Sequence, residues 1–331
     1  MKKKSSMKIT VTGSGGFIGS HVVEALLHEG YTVRALVHYN SLGRWGHLEA
    51  FASQPHARLQ VIAGDVADAR CIEKGVEGCD AVVHLAALIG IPYSYQAPES
   101  YITTNIRGTL NVLEACRKLK IRRLVVTSTS EVYGTAVYTP IDEKHPLQGQ
   151  SPYSATKIGA DKLAESYFRS FELPVVTLRP FNTYGPRQSA RAVIPTILSQ
   201  ALSGAKKIHL GSLEPKRDLT FVEDTARGFL LAVEAEGIEG ETIHFGQGEA
   251  ISVGDLAQLC LKTVGSNAQI VVQKERMRPE KSEVGLLLCD ASKAKRLLEW
   301  SPQIPLEEGL KLTADYVRQQ LGEYRIKEYM I

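Results

Sequence analysis

The first 180 residues alternate short apolar, β-branched runs with longer stretches of helical periodicity. The apolar runs contain few polar residues, which is typical of parallel strands covered by helices on both faces. The pattern therefore predicts an α/β fold, a doubly wound parallel sheet. Strands are predicted at residues 8–12, 32–37, 58–63, 81–85, 124–128 and 175–178, and helices at residues 17–29, 72–76, 98–119 and 153–171.

After residue 180 the sequence changes, because loop-forming glycines, prolines and asparagines now separate shorter helices. We expect two units, residues 7–180 and residues 181–331, with some segments of the second returning to the first. The second unit is expected to be a smaller α/β lobe. Its helices are predicted at residues 193–202, 225–236, 253–264, 292–298 and 306–321.

Composition excludes several classes of protein. The 331 residues carry a formal net charge of +3, too weak to predict a nucleic-acid partner. Five cysteines, never two residues apart, indicate neither a disulfide framework nor a zinc site, and we expect no metal. The basic start lacks the apolar stretch of a signal peptide, and no apolar run is long enough to span a membrane. We therefore expect a cytoplasmic protein without a membrane partner.

Residues 13–20 read GSGGFIGS and lie between the first predicted strand and the first predicted helix. Gly13, Gly16 and Gly19 form a GxxGxxG pattern. Glycines allow a sharp turn, close approach of backbone N–H groups to a pyrophosphate and tight packing of the helix, whose N-terminus favours negative charge. In this context the pattern predicts the dinucleotide-binding loop of a Rossmann domain.

The choice between NAD and NADP stays open. An acid at the end of the second strand would bind the ribose hydroxyls of NAD, but residues 34–41 contain no carboxylate. His38, Ser41 or Arg44 could instead meet a 2′-phosphate. Asp65, after the third strand, could accept a hydrogen bond from the adenine amino group or could simply form a turn with Gly64.

Tyr153 and Lys157 are four residues apart and therefore lie on one face of a predicted helix. An ammonium group beside a phenol stabilises the phenolate, so we expect Lys157 to lower the pKa of Tyr153. Tyr153 can then accept a hydroxyl proton during hydride transfer. The pair follows a dinucleotide loop, and Thr129 and Glu131 come directly after the fifth strand, which makes a chance spacing a poor explanation.

Taken together, six motifs resemble the extended short-chain dehydrogenase/reductase family over nearly the whole chain. They are GSGGFIGS, HLAA at 84–87, NIRGTLN at 105–111, STSEVYG at 128–134, YSATK at 153–157 and RPFNTYGP at 179–186. Within the family the chain resembles nucleotide-sugar 4,6-dehydratases, and most closely the NAD-dependent dehydratases of legionaminic acid synthesis. The longer stretches that carry this likeness are IPYSYQAPESY at 91–101, residues 140–171 and RPEKSEV at 278–284.

The resemblance implies a tightly bound NAD or NADP that is regenerated in each turnover. It places Thr129 and Tyr153 on the sugar 4-hydroxyl, Lys157 on the nicotinamide ribose and on Tyr153, and Glu131 at carbon 5. Residues 7–180 are then the NAD(P)-binding domain with the catalytic residues. The residues expected to contact the cofactor are Gly13, Gly16, Phe17, Ile18, Gly19, His38, Asp65, Val66, Leu85, Ala86, Ala87, Tyr153 and Lys157.

The implied reaction is dehydration of a UDP- or GDP-N-acetylglucosamine to the 4-keto-6-deoxy sugar. A 4-epimerase needs only oxidation at carbon 4, so a carboxylate near Thr129 favours dehydration. Some dehydratases that act on dTDP-glucose have Thr-Asp-Glu, with the Asp as proton donor, whereas this chain has Ser130 at that place. The Thr-Ser-Glu set resembles GDP-mannose dehydratases, and we expect Glu131 to act as both base and acid.

UDP-glucuronate decarboxylases carry a similar STSEVYG segment and remain an alternative, as does a 4-epimerase. The decarboxylase pattern has an arginine before the tyrosine, whereas this chain has GQSP at 149–152. A protein of another class, an NAD(P) sensor without chemistry, would not need Thr129, Glu131, Tyr153 and Lys157 together.

Residues 181–331 are expected to bind the nucleotide sugar. The resemblance places Arg217 and Arg278 on the diphosphate. Asn182, Arg187 and Arg191 are expected on the nucleotide side, and Tyr93 and Ser94 beside the hexose, together with Ile91 and Pro92.

Two further expectations concern packing. His84 follows an apolar strand and is expected to be a buried, hydrogen-bonded residue rather than a ligand. The helix at 153–171 also presents Ile158, Leu163, Tyr167 and Phe171, and with the helix at 98–119 it could form the four-helix seam of a homodimer, as the resemblance implies.

Overall fold

The computed structural model describes residues 6–54 and 56–324; the basic residues 2–4 and the last seven residues of the predicted lobe lie outside this part. The strands are β1 (Lys8–Thr12), β2 (Thr32–His38), β3 (Leu59–Gly64), β4 (Ala81–His84), β5 (Arg123–Thr127), β6 (Val175–Pro180), β7 (Asn182–Tyr184), β8 (Lys207–Leu210), β9 (Lys216–Phe221), β10 (Thr242–Phe245), β11 (Ala250–Ser252), β12 (Gln269–Val272) and β13 (Leu286–Leu287).

The helices are α1 (Phe17–His28), α2 (Ala50–Ser53), α3 (Ala69–Val76), α4 (Ile91–Gln96), α5 (Pro98–Tyr101), α6 (Gly108–Lys118), α7 (Pro152–Phe171), α8 (Val193–Leu202), α9 (Val222–Glu234), α10 (Val253–Val264), α11 (Ser292–Leu298) and α12 (Leu306–Gln319). A π-helical segment, Ile102–Arg107, joins α5 to α6, so the predicted helix at 98–119 is present with an irregular middle. Short 3₁₀ turns lie at Gly46–Leu48, Ser130–Tyr133, Lys274–Arg276, Glu280–Ser282 and Leu321–Glu323.

A seven-stranded sheet in the order β10-β6-β5-β4-β1-β2-β3 forms the centre of the fold. Every neighbouring pair in it is parallel, which confirms the predicted doubly wound α/β class. From β1 the chain first adds β2 and β3 on one side of the sheet, and then returns to add β4, β5 and β6 on the other side. In such sheets ligands bind beyond the carboxyl ends of the strands at this switch point, so the glycine loop and the residues after β4 are brought to one crevice.

Helices cover both faces of the sheet, and alternate side chains of each strand point to opposite faces. Val83 and Val125 pack in a core with α1 and α9, while Val82 and Leu124 pack in a second core with α3 and α6. Burial on both faces explains why the strands read as nearly continuous apolar runs.

The smaller lobe contains a four-stranded sheet, in which β9 pairs with β7, β11 and β13, and the pair β12-β8. Its core packs α8, α10 and α12 together. Residues 181–324 also supply β10 to the edge of the large sheet, and α9 to the core that contains α1.

The side chains suggested for a dimer seam are mostly used inside the chain. Ile158 packs on the core around Tyr133, and Leu163 and Tyr167 pack on the α3–α6 side of the sheet. Phe171 is 52% exposed, with the Arg117 guanidinium 5.1 Å from its ring centre. The homodimer stays a prediction.

Three chemical features complete the description. All five cysteines carry free thiols. Among residues 6–54 and 56–324, no group of His, Cys, Asp and Glu side chains is arranged to hold a metal ion. Within the same ranges no helix is both long and apolar enough to cross a membrane.

Candidate active site

The glycine loop after β1 is tightly closed on itself. Gly13 has a φ of +67°, and a Cβ there would lie 2.6 Å from the backbone nitrogen of Ala86. A Cβ on Gly19 would lie 2.2 Å from the carbonyl oxygen of Gly13, so α1 can approach the loop only with glycine at this position. Gly16 is the N-cap of α1 and donates its N–H to Gly13 at 3.0 Å.

The N-terminus of α1 is free to receive an anion. No side chain caps it among the described residues, and its first turn carries no acidic residue. The buried hydroxyl of Ser14 has no hydrogen-bond partner in that part of the chain. Exposed helix N–H groups, an unpartnered hydroxyl and glycines that admit close approach are features that a dinucleotide pyrophosphate fits.

Sequence reasoning missed a second loop, residues 40–48, that packs on the glycine loop. A Cβ on Gly46 would lie 2.4 Å from the carbonyl oxygen of Gly15, and His47 donates its N–H to that oxygen at 3.0 Å. Asn40 shapes this loop by accepting from the N–H groups of Leu42 and Arg44. The signal was the pair Gly43 and Gly46, spaced like turn residues soon after β2.

The predicted adenosine-side residues lie at the carboxyl ends of β2 and β3. His38 ends β2 and is exposed. Asp65 is exposed and accepts the N–H of Ala67 at 2.8 Å, so its carboxylate forms the turn that the sequence left as an alternative. Val66 is buried, and its carbonyl accepts from the Asn111 side chain at 2.9 Å.

The residues after β4 are joined to β1 through Thr12. The N–H groups of Leu85 and Ala86 both donate to the Thr12 hydroxyl at 3.2 Å, which brings this segment against Gly13. His84 is 2% exposed, and its two ring nitrogens hydrogen-bond Thr12 and Thr109. Burial lowers the pKa of His84 to about 3, which confirms that it is a satisfied interior residue. Ala87 follows in the same segment.

Two other residues predicted to contact the cofactor, Phe17 and Ile18, lie in the first turn of α1. Both pack against the core of the smaller lobe.

Helix α7 carries the tyrosine and the lysine. Ser151 caps it through a reciprocal pair of hydrogen bonds with Ser154, at 3.1 Å and 3.0 Å. This box fixes the first turn, in which Tyr153 lies. Tyr153 packs against Ile91 and Tyr101, and the rings of Tyr101 and Tyr153 meet edge to face at 6.3 Å.

Thr129 and Glu131 lie beside Tyr153 at the end of β5. Thr129 is the N-cap of the 3₁₀ turn Ser130–Tyr133, and its hydroxyl accepts the N–H of Glu131 at 3.2 Å. The Thr129 hydroxyl lowers the pKa of Tyr153, and the Glu131 carboxylate acts electrostatically on both Tyr153 and Arg217. Glu131 is neither buried nor fully exposed. The charge of the acid is therefore felt by both the phenol and the arginine predicted for the diphosphate, while Ser130 is buried at 2% exposure.

The prediction that Lys157 lowers the pKa of Tyr153 is wrong for the free protein. Burial raises the pKa of Tyr153, and the negative charge of Glu131 adds to this, against a lowering contribution from the Thr129 hydrogen bond. The Lys157 ammonium instead donates to the carbonyl of Thr127 at 2.6 Å, and burial lowers the pKa of Lys157. Loss of water from the site outweighs the proximity of the two side chains on one helix face.

Arg217 and Arg278 lie together near Glu131. Arg217 donates to the carbonyl of Val284 at 2.7 Å and to Glu283 at 3.2 Å, while Arg278 lies 3.5 Å from the same Glu283 oxygen. Burial lowers the pKa of Arg217, and the nearby Arg278 lowers it further, against the charges of Glu131 and Glu283. One Arg278 nitrogen is buried without a hydrogen-bond partner among the described residues. Two cations sharing one carboxylate leave positive charge for an anion.

The other predicted substrate residues fall into two groups, and the first contains Tyr93, Arg191 and Asn182. Tyr93 is 38% exposed beside Tyr101, and a guanidinium nitrogen of Arg191 lies 3.3 Å from where a Cβ on Gly90 would be, so both border the Tyr153 pocket. Asn182 has a buried side-chain oxygen with no partner among the described residues, as a ligand-binding amide would.

Two of these predictions place side chains differently from the structure. Ser94 is fully buried and donates its hydroxyl to the carbonyl of Ile91 on its own helix, so it does not border a hexose. Arg187 donates to both oxygens of Glu24 on α1, at 2.9 Å and 2.7 Å, and to Ser20. These bonds hold the Arg187 guanidinium on α1, and the residue itself has a positive φ of 69°.

The segment before β13 also crosses to the large domain, which the sequence did not predict. Ser282 donates to the carbonyl of Gln150 at 2.7 Å and shares a 2.6 Å hydrogen bond with the hydroxyl of Tyr95. Gln150 immediately precedes Ser151, the cap of α7, and Glu283 immediately follows Ser282. The contact therefore fixes the arginine pair relative to Tyr153.

Comparison with known proteins shows which family the chain belongs to. A family model described as GDP-mannose 4,6 dehydratase matches residues 10–313. The low-salt glycan biosynthesis protein Agl12 of Haloferax volcanii is 33% identical over 94% of this chain and 98% of its own. A dTDP-glucose 4,6-dehydratase of Actinoplanes sp. is 32% identical over 94% and 98%. UDP-glucuronic acid decarboxylase 1 of Xenopus tropicalis is 29% identical over 100% and 76%.

Two solved structures show the same architecture. The UDP-glucuronic acid 4-epimerase from Bacillus cereus, in complex with UDP-glucuronic acid and NAD, superimposes with a TM-score of 0.87 at 33% identity, covering 95% of this chain and 100% of that one. DesIV, a dTDP-glucose 4,6-dehydratase from Streptomyces venezuelae with NAD bound, gives a TM-score of 0.86 at 30% identity, covering 96% and 99%.

Proposed function

Because the chain belongs to the extended short-chain dehydrogenase/reductase family, in the branch described by the GDP-mannose 4,6 dehydratase model, we propose that it is a nucleotide-sugar 4,6-dehydratase. It is an NAD(P)-dependent enzyme. The proposed substrate is UDP- or GDP-N-acetylglucosamine and the product its 4-keto-6-deoxy derivative, the reaction implied by the likeness to dehydratases of legionaminic acid synthesis.

The observation that carries this proposal is the place of Glu131. The charge of its carboxylate acts on both the Tyr153 phenol and the Arg217 guanidinium. A sugar whose 4-hydroxyl meets Tyr153 and whose diphosphate meets Arg217 has its ring beside this carboxylate. Oxidation at carbon 4 alone has no need of a base there, whereas elimination across carbons 5 and 6 does.

The chain's own residues divide the work of the first stage. Thr129 and Tyr153 hold the sugar 4-hydroxyl, and Tyr153 takes its proton. Lys157, held on the Thr127 carbonyl, supplies the positive charge that favours the phenolate. Bound NAD(P) supplies a reversible hydride acceptor.

In the second stage the carbon 4 ketone makes the carbon 5 hydrogen acidic. Glu131 removes this proton, and the hydroxyl on carbon 6 leaves as water. Ser130 carries no carboxyl group, so we propose that the protonated Glu131 also donates to the leaving hydroxyl. One residue then acts as base and acid in turn. Return of the hydride taken from carbon 4 to carbon 6, with uptake of a proton at carbon 5, would complete the reaction and leave no net oxidation.

Arg217 and Arg278 are proposed to bind the diphosphate, with Asn182 and Arg191 nearer to the nucleotide. The Asn182 oxygen is buried without a hydrogen-bond partner among the described residues, and the Arg278 nitrogen that pairs with Glu283 at 3.5 Å makes no hydrogen bond there; both support this assignment. Because the Arg217 side chain is only 12% exposed, its charge acts on an anion with little screening by water.

A 4-epimerase is the second candidate, since the Bacillus cereus epimerase superimposes as well as the dehydratase does. The decarboxylase alternative has less support from the sequence, because residues 149–152 supply no arginine for a uronate carboxylate. Glu131 beside the ring favours dehydration over epimerisation.

Mass spectrometry of purified protein with UDP- and GDP-sugars tests the proposal. Dehydration removes 18 mass units, the mass of one water, without net formation of NAD(P)H. An unchanged mass with carbon 4 inverted would make the protein an epimerase. Release of carbon dioxide from UDP-glucuronate would make it a decarboxylase.

A further inference from the structure

Behind the catalytic pair lies a buried carboxylate that neither the motifs nor the proposed mechanism uses. Asp161 is one helical turn beyond Lys157 on α7, and the two residues are 4% and 5% exposed. One Asp161 oxygen accepts three hydrogen bonds: from Ser128 at 2.7 Å and from Arg179 at 3.0 Å and 2.8 Å. The other oxygen is buried without a hydrogen-bond partner among the described residues.

Asp161 completes a residue-by-residue connection between α7 and the end of β5. The carbonyl of Thr127 accepts from Lys157, and the hydroxyl of Ser128 donates to Asp161. Two consecutive residues of one segment are thus hydrogen-bonded to two residues of one helix face, and the next residue, Thr129, acts on the pKa of Tyr153 on the same helix. Displacement of any one connection would move the donors and acceptors of the reacting centre.

The charges around Lys157 are unbalanced without Asp161. His84 of β4 is close enough for the Lys157 charge to act on it and is neutral, because burial lowers its pKa to about 3. Arg179 of β6 donates to Asp161 and to the hydroxyl of Tyr133. His244 of β10 lies behind Tyr133 and is neutral, because burial lowers its pKa to about 3. Asp161 is the anion that raises the pKa of Lys157 against the effect of burial. Buried ion pairs contribute little net stability in general, so a functional role is a better reason for this one.

We propose that Asp161 is a positioning residue that keeps Lys157 as an ammonium ion and fixes β5 against α7, with Arg179 balancing its charge. This inference rests on the proposed roles of Lys157 and Tyr153. Without the Asp161 charge, Lys157 and Arg179 lose the anion that raises the pKa of both, and Lys157 loses its proton at a lower pH. Each property that depends on the Lys157 charge falls at high pH when Lys157 loses its proton. This fall, the alkaline limb of the pH profile, then moves to lower pH.

The test compares Asp161→Asn with Asp161→Glu and Ser128→Ala across pH 6–10. Two properties are followed: turnover of the sugar nucleotide, and affinity for NAD+ and NADP+ by thermal shift. Asp161→Asn is expected to move the alkaline limb down by about one pH unit or more, since a nearby charge shifts a pKa by about 1–3 units. Asp161→Glu restores the wild-type limb, and Ser128→Ala, which removes a hydrogen bond but no charge, leaves it in place.

A uniform loss of activity in Asp161→Asn, with the limb unmoved, would reduce Asp161 to a structural residue and overturn the proposal. If Asp161→Asn does not fold, the double variant Asp161→Asn/Arg179→Gln also removes the Arg179 cation that pairs with Asp161. Lys157 still lacks its anion in this variant, so the alkaline limb of its pH profile is also expected below that of the wild type, and a limb at the wild-type pH would contradict the proposal. Failure of the wild type to convert any sugar nucleotide would refute the dehydratase proposal alone, because the cofactor affinities still report on Lys157.

Discussion

At the scale of single residues, the decisive groups are few and each has a distinct environment. Tyr153 is buried, Glu131 is partly exposed, and the Arg217 side chain is 12% exposed with Glu283 as its partner. Burial raises the pKa of Tyr153, so the free protein holds it as a neutral phenol that needs positive charge to become a base. Lys157 is the residue in place to supply it.

Replacing Glu131 separates the two stages of the proposed reaction. Glu131→Gln keeps the size of the side chain and removes the base, so oxidation at carbon 4 continues while elimination falls by about 10²-fold or more. Reduced cofactor should accumulate and be seen as bound absorbance at 340 nm. Tyr153→Phe is the matched control, because it blocks the first stage and should give no absorbance. Full dehydratase turnover by Glu131→Gln would remove this residue from the mechanism.

At the scale of elements, most of the large sheet could be predicted from the sequence. The predicted strand at 8–12 and the helices at 193–202, 253–264 and 292–298 have the observed ends, because apolar periodicity and a cap such as Ser252 are local signals. What the sequence did not show depends on distant pairing: β10 joining β6, and loop 40–48 resting on the glycine loop. The same limit explains Arg187, whose partner Glu24 lies 163 residues away in the chain. Ser94 is a different case, because its partner Ile91 is on the same helix and the sequence stretch alone does not show which face of that helix is buried.

The junction of β1 and α1 should be intolerant of any side chain at Gly19. Gly19→Ala puts a methyl group 2.2 Å from a backbone oxygen that cannot move away without opening the loop. We expect loss of NAD(P) binding and a fall of about 1–3 kcal/mol in the free energy of unfolding. Gly322→Ala, where a Cβ meets no atom within 4 Å, is the control for urea unfolding and cofactor titration. Equal behaviour of the two variants would mean that the loop is less constrained than described.

The contact of Ser282 with Gln150 and Tyr95 should matter for substrate binding rather than for chemistry. Ser282→Ala releases the segment that carries Arg278 and Glu283, so KM for the sugar nucleotide should rise about 5- to 10-fold, from roughly 1 kcal/mol of lost hydrogen bonding. kcat should stay within about twofold, because Tyr153 and Glu131 are untouched. Tyr95→Phe removes half of the same contact and should give a smaller change. A fall in kcat without a change in KM would contradict this account.

At the scale of the whole molecule, the fold keeps two titratable rings neutral in its interior. Burial lowers the pKa values of His84 and His244 to about 3 each. In the unfolded chain a histidine takes up its proton near pH 6.5, whereas the folded protein excludes that proton down to about pH 3. The stability that these residues contribute is therefore present above pH 6.5 and is lost as the pH falls below it.

Urea unfolding at pH 7.5 and 5.5 measures this loss. Each buried histidine should lower the free energy of unfolding by about 1.4 kcal/mol per pH unit once the pH is well below 6.5. His84→Gln can still hydrogen-bond both threonines but does not titrate, so its decline should be shallower. His28→Gln, at an exposed position, should match the wild type. An equal decline in all three proteins would show that His84 is not held neutral.

The central claim is that a carboxylate at position 131 takes the carbon 5 proton from a sugar already oxidised at carbon 4. Turnover in deuterated water, followed by NMR of the product, reads this step directly, because the proton returned to carbon 5 then comes from solvent. We predict one deuterium at carbon 5 of a 4-keto-6-deoxy sugar with the wild type, and none with Glu131→Gln. Dehydrated product without deuterium at carbon 5, or exchange by Glu131→Gln at the wild-type rate, would contradict the claim.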